Sequence, residues 1–154
     1  MPIPDPKLNP KFAHKLKFLD DMATWSRTLA KTPAKRILVG DLNVAPLPND
    51  VWSHKQVLKD VSHTPAETTR LEKVLKAGKW VDAERHFVPE DQQLFTWWSY
   101  RAHDWRAINR GRRLDHVWVS PALKPALRSM TILKEARGWP NPSDHAPVMI
   151  ELAL

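Results

Sequence analysis

In the segment ILVGDLNVAPLPND, Asp41 and Asn43 sit one residue apart where an aliphatic run meets a Pro-rich loop. If the backbone stays extended there, the two side chains point to the same side. One carboxylate and one amide would then face a single substrate atom, at the strand end where layered α/β proteins often carry function. The same residues also suit an Asx-turn leaving a strand, and the local sequence leaves both open. A second candidate is Ser143-Asp144-His145, just before the apolar run that ends the chain. A carboxylate beside a histidine holds the imidazole protonated, a cation suited to a phosphate oxygen. An ordinary polar turn is the alternative.

The third candidate is LFTWWSYRAHDWRAINRGRRLDHVWVS, where Arg101, Arg106, Arg110, Arg112 and Arg113 alternate with Trp97, Trp98, Tyr100 and Trp105. The planar fork of arginine suits phosphates, and aromatic rings stack on or wedge against unpaired nucleotides. A solvated charged surface is the plainer alternative. Asp115 adds a carboxylate on the strand leaving this loop.

Positioning these groups requires the following elements. Residues 1–9 read as an extended Pro-rich lead-in. Apolar residues at Phe12, Leu16, Leu19, Met22, Ala23 and Leu29 predict an amphipathic helix over 10–31, with Asn9-Pro10 as cap and first turn. Arg36–Gly40 is short and nearly all apolar, as a strand covered on both faces would be. Thr64-Pro65-Ala66-Glu67 is a capping-box pattern opening a helix that Gly78 closes. Trp80–Phe87 reads as a short buried segment, Phe95–Tyr100 as a strand and residues 101–112 as a basic loop. Leu114–Ser120 alternates as a strand, with either Leu114, His116 and Trp118 or the opposite set facing inward. Pro121–Ala126 reads as a turn, and Ser129–Lys134 and Pro147–Leu152 as the last strands. Helices interleaved with short strands give an α/β or α+β layered domain.

The 154 residues suffice for one domain, 1–154, and 42% of them are hydrophobic. No apolar window is long enough for a membrane span, and the N-terminus lacks the apolar core of a signal peptide. With no cysteine the chain has no disulfide or thiolate site, and a cytoplasmic location is expected. Twenty-four Lys and Arg against 17 Asp and Glu leave a net charge of +7, which favours an anionic partner such as nucleic acid. Most of the eight Trp are assigned to packing.

In this order, GDLN, TWWSYR, NRGRRLDHVWVSPAL and SDHAPVMIEL resemble the exodeoxyribonuclease III / apurinic-apyrimidinic endonuclease family, within the endonuclease/exonuclease/phosphatase superfamily. The lead-in IPDPKLNPKFAHKLKFLDDM resembles the segment upstream of GDxN in bacterial members, so the likeness spans essentially the whole chain. It implies the C-terminal half of a deoxyribonuclease-I-like four-layer fold, with a mixed, mostly antiparallel sheet and flanking helices. The implied activity is DNA repair: hydrolysis of phosphodiesters in double-stranded DNA with Mg²⁺ or Mn²⁺, as a 3′–5′ exonuclease and abasic-site endonuclease.

By the same resemblance, Asp41 matches the aspartate that activates the attacking water or, in a competing account, handles the leaving group's proton. Asn43 matches the asparagine orienting that aspartate or the phosphate. His145 matches the histidine on the scissile phosphate, Asp144 its orienting partner, and Asp115 a supporting aspartate. Asp41, Asn43, Asp144 and His145 form the implied metal set. Trp97, Tyr100, Arg101, Arg110, Arg112, Arg113 and Leu114 are the implied DNA-facing residues, with Trp97 and Leu114 walling a pocket for a flipped-out abasic sugar. Arg112 stands where relatives often carry an apolar wall residue, a departure that shifts the expectation toward 3′-end trimming. In the family, a metal-ligating Glu comes from the first half. None of Glu67, Glu72, Glu84, Glu90, Glu135 and Glu151 sits in its motif. The chain alone is therefore expected to be weak or inactive, with a complementary N-terminal half as the partner that restores activity. Two other functions stand beside this one: a noncatalytic DNA-binding remnant, and a superfamily enzyme acting on another phosphate ester.

Overall fold

Asn9 starts the first helix by accepting the Phe12 amide at 3.1 Å, with Pro10 in the first helical position. That helix, α1 (Pro10–Leu29), buries Leu16, Leu19 and Ala23 along one stripe. A computed structural model of the protein describes residue 5 and residues 7–154, so most of the expected extended lead-in lies outside the described residues. After α1 come β1 (Ile37–Asp41), α2 (His54–Val57), α3 (Pro65–Ala77), β2 (Val81–Asp82), α4 (Ala83–Phe87) and β3 (Trp97–Trp98). Then follow α5 (Trp105–Ile108), β4 (Gly111–Arg112), β5 (Asp115–Val119), β6 (Leu127–Ile132) and β7 (Val148–Leu152).

All strand pairs are antiparallel: a three-stranded sheet ordered β1-β5-β2, and the pairs β3-β4 and β6-β7. Alternation along β5 sends its two faces to different layers. Trp118 packs with Leu19, Leu71, Val74 and Trp80 beneath the α1/α3 pair, while His116 is buried on the same face. Of the two inward sets open for this strand, Leu114, His116 and Trp118 is the buried one. On the opposite face Val117 and Val119 meet Leu127, Ile150 and Leu152 of the β6-β7 pair. The result is a mixed α/β domain of antiparallel sheets and helices.

Three expectations change. β1 is an edge strand, and Ile37 and Val39 are 50% and 65% exposed. A strand read as covered on both faces is covered on one, because the β6-β7 pair packs over β5 and stops short of β1. The strand expected over Phe95–Tyr100 shrinks to Trp97–Trp98, held by Arg112 and Gly111 opposite. The basic loop 101–112 also contains α5, capped by the Asp104 side chain and ended by left-handed Asn109.

Candidate active site

Strand register brings the acids together. Residues 37–41 pair with 119–115 in order, so the last rung sets Asp41 directly opposite Asp115. Cross-strand partners share a face, and this is the face that carries Val39 and Val117. Past Asp41 the chain turns: the Leu42 amide donates to Leu114 O at 3.1 Å, and the Asn43 amide donates to Asp41 Oδ1 at 2.8 Å. Asn43 has φ 52°, a left-handed conformation that Asn tolerates. The Asx-turn is therefore the conformation adopted, and the extended alternative at Asn43 is not. Asn43 still lines the same cleft as Asp41, by way of the turn.

Segment 143–146 reaches these acids by pairing beside β3. Trp98 donates its amide to Asp144 O at 3.0 Å, Ala146 donates to Thr96 O at 2.7 Å, and Trp97 and His145 form an isolated bridge. Buried Thr96 links a third segment, since its Oγ1 accepts the Leu114 and Asp115 amides at 3.0 and 3.2 Å. Three distant stretches thus converge, and His145 Nδ1 lies 2.8 Å from Asp115 Oδ2. Its Nε2 is 3.7 Å from Asp41 Oδ2 and 4.0 Å from Asp144 Oδ1. Asp144 Oδ2 accepts the Trp97 indole N–H at 2.9 Å.

Partial burial alone would lower the pKa of His145. The hydrogen bond to Asp115 and the charges of Asp115, Asp41 and Asp144 outweigh it and raise the value above the ordinary imidazole range. The site thus favours an imidazolium beside three carboxylates. Asp41, Asp115 and His145 each offer a ligand-type atom, all within 4.8 Å of one another. All four residues expected to hold a metal, Asp41, Asn43, Asp144 and His145, line one open cleft of about 350 Å³. The geometric cluster adds Asp115, whose Oδ2 is already engaged by His145.

Comparison with known proteins agrees with this geometry. Residues 3–145 match the model of the Endonuclease/Exonuclease/phosphatase family. The chain belongs to this family. It is 36% identical over 118 residues to the DNA repair nuclease APEX1 of Danio rerio, covering 77% of this chain and 36% of that protein. It is 37% identical over 112 residues to an exodeoxyribonuclease of Bacillus subtilis, covering 73% of this chain and 42% of that protein. The structure of the 3′ phosphatase NExo from Neisseria, bound to a product DNA hairpin, superposes with a TM-score of 0.86 at 29% identity. It covers 95% of this chain and 56% of that one. The chain therefore spans less than half the length of these two curated relatives.

For a family member, the expected DNA-facing residues divide three ways. Trp97, Arg112 and Leu114 line the cleft with the acids, although Leu114 is only 4% exposed. Arg112 is pinned there: Nη1 donates to Val61 O and Ser62 Oγ at 2.8 Å each, and Nη2 donates to Asp60 Oδ2 at 3.0 Å. Tyr100, Arg101 and Arg110 lie on the exposed surface, with Arg110 over the Trp52 ring at 4.4 Å and Arg137 over Tyr100 at 4.9 Å.

Arg113 is a correction. It is fully buried, bonding Asp50 through Nε and Nη2 and Asp82 and Glu84 through Nη1. A guanidinium so enclosed is a structural cation and not a DNA contact. Nothing local in the sequence signals this burial, because Asp50 is 63 positions away. The same blindness hid Thr96, Ser62 and Lys15; only Glu67 had a local signal, its capping box with Thr64.

Proposed function

We propose that this chain carries the Asp/His side of a divalent-metal-dependent nuclease that hydrolyses phosphodiesters in double-stranded DNA during repair. What carries the proposal is the 2.8 Å bond between His145 and Asp115, at the rung where Asp115 faces Asp41. Asp115 keeps His145 protonated and oriented, so the imidazolium meets charge that develops on a non-bridging phosphate oxygen. Asp41, the most exposed of the site carboxylates at 44%, is the group available to take a proton from the attacking water. As that water's oxygen bonds to phosphorus, the P–O ester bond breaks, and the departing oxygen receives a proton. Asn43, fixed by its turn, presents an amide to the phosphate or to Asp41.

The oxygens of Asp41, Asn43 and Asp144 are hard donors, and one or two carboxylates plus waters suit Mg²⁺ or Mn²⁺. Such an ion would polarise the phosphoryl oxygen and lower the pKa of a bound water. Trp97, Leu114 and Val61 give the cleft an apolar wall for a sugar or terminal base, and pinned Arg112 sets a cation into that wall. A cation in the wall supports 3′-end trimming over the incision of flipped-out abasic sites.

The half-exposed Ile37 and the exposed Val39, on the face that carries Asp41, leave that face open beside the acids. Apolar exposure next to a reacting centre supports a complementary N-terminal half as the partner that completes the site. The test is cleavage of abasic and 3′-recessed duplexes with Mg²⁺, with and without the N-terminal half of a full-length relative. Activity that needs the mixture is expected. Strong cleavage by the chain alone would remove the need for the second half, and DNA binding without cleavage in either case would leave a noncatalytic remnant.

A further inference from the structure

One buried carboxylate reaches both walls of the cleft, although the site chemistry never uses it. Glu67 is fully buried. As a helix cap it would need only Thr64, whose amide and Oγ1 it accepts at 3.1 and 2.8 Å. It makes two further kinds of contact. Its oxygens accept the Ser62 amide at 3.1 and 2.9 Å, and Oε1 accepts Lys15 Nζ from α1 at 2.5 Å. Ser62 holds a left-handed φ of 84°, unfavourable for a residue with a side chain unless its surroundings enforce it. Its Oγ accepts one of the bonds that pin Arg112, and its carbonyl accepts the Ala45 amide at 2.7 Å. Lys15 Nζ also donates to the Asn43 carbonyl at 2.6 Å. Both backbone polar groups of Asn43 are thereby held, the amide by Asp41 and the carbonyl by Lys15.

We infer that Lys15 and Glu67 are positioning residues for the reacting site, setting the Asn43 turn and the Ser62–Arg112 wall in one register. The inference rests on the nuclease function proposed above. A cap alone explains neither the Lys15–Asn43 bond nor the strained Ser62, whereas a shared anchor for two walls explains both.

Three variants test it: Lys15→Met, Lys15→Met combined with Glu67→Gln, and Lys15→Arg. The double variant removes both charges together, so no unpaired carboxylate is left buried if the single one fails to fold. Leu123→Ala, in the separate cluster with Val119 and Leu127, serves as a matched destabilised control. In the Mg²⁺ cleavage assay, with the complementing half present, kcat is expected to fall at least tenfold in the double variant with KM within twofold. Lys15→Arg is expected to recover most of that loss, and Leu123→Ala to leave kcat unchanged at equal melting temperature. Amide hydrogen exchange at Ser62 and Asn43 is expected to speed up at least tenfold in the double variant and not in the control. If the unmodified chain cleaves no DNA even with the complementing half present, the nuclease proposal falls, and the exchange rates still decide this one. Unchanged Ser62 and Asn43 exchange, or a kcat within twofold in the double variant, would overturn it.

Discussion

Asp41 and Asp115 are directly opposed on adjacent strands, yet only Asp115 is hydrogen-bonded to His145, at 2.8 Å against 3.7 Å from the imidazole to Asp41. Two like charges on one rung are a cost the fold carries without a structural return. The asymmetry fits the different work proposed for them: Asp115 is bound to the histidine, and Asp41 is left open to solvent.

Replacing Asp41 with Asn should separate activity from stability. Losing a positioned acid–base group costs about 10²–10⁴ in rate, so cleavage by the completed enzyme should drop within that range. Removing the like-charge partner of Asp115 should leave the metal-free chain as stable or more stable, by about 0.2–1 kcal/mol. Single-turnover cleavage and a urea midpoint on the same preparation check both; a lowered midpoint would mean Asp41 serves the fold.

Asp115→Asn should lower the His145 pKa toward its ordinary value, because the hydrogen bond and nearest charge that raise it are lost together. The sign follows from linkage. A histidine with a raised folded value adds stability that is full below its unfolded pKa and disappears as pH rises through the folded one. In the variant the loss should be smaller and complete at lower pH, and the alkaline limb of the cleavage profile should move down with the folded value. Imidazole proton shifts followed by NMR across pH 5–9, without metal, measure the change; an unmoved His145 titration would refute the pairing.

The helices were legible and the convergence was not. Asn9-Pro10 and the Thr64–Glu67 box each carry their capping signal within four residues, and both caps form as the sequence predicts. The three candidate tips, Asp41, Asp115 and Asp144–His145, were visible as residue types at strand ends, but nothing local says they meet. That depends on Thr96 holding the Leu114 and Asp115 amides while its carbonyl takes the Ala146 amide. Arg113 was misjudged for a related reason. Beside exposed Arg110 and half-buried Arg112 its burial is set by acids far away in the chain.

Arg113 and Arg101 should accordingly respond in opposite ways. Arg101→Ala removes an exposed cation and, if that side chain meets DNA as proposed, should reduce the salt dependence of binding by about one charge, with little change in melting. Arg113→Ala leaves Asp50 with Arg85 alone and takes the guanidinium away from Asp82 and Glu84, and should cost on the order of 3–5 kcal/mol. Salt titrations of duplex binding alongside thermal melts distinguish them. A stable Arg113→Ala protein with a weakened salt slope would restore Arg113 to the DNA surface.

The same buried cluster should give the protein a stability optimum on the acidic side of neutrality. Burial pushes the Glu84 carboxyl up to about 8 from 4.5, Arg113 opposing only in part. A carboxyl raised in the fold adds stability that is full below the unfolded value and is lost as pH climbs through the folded one. Burial also pulls His116 down from 6.5 to about 4, helped by Arg113, and a depressed histidine withdraws stability as pH falls from 6.5 toward 4. Between pH 4.5 and 6.5 the two slopes oppose; from 6.5 to 8 Glu84 alone of the pair acts, His145 adding to the same downward slope, and the Glu84 part should lower stability by a few kcal/mol at about 1.4 kcal/mol per pH unit. Glu84→Gln should flatten that decline and leave the acid limb intact. Urea melts from pH 5 to 9 give the curve, and a wild-type stability that rises from pH 6.5 to 8 would show that Glu84 is ionised in the folded protein throughout.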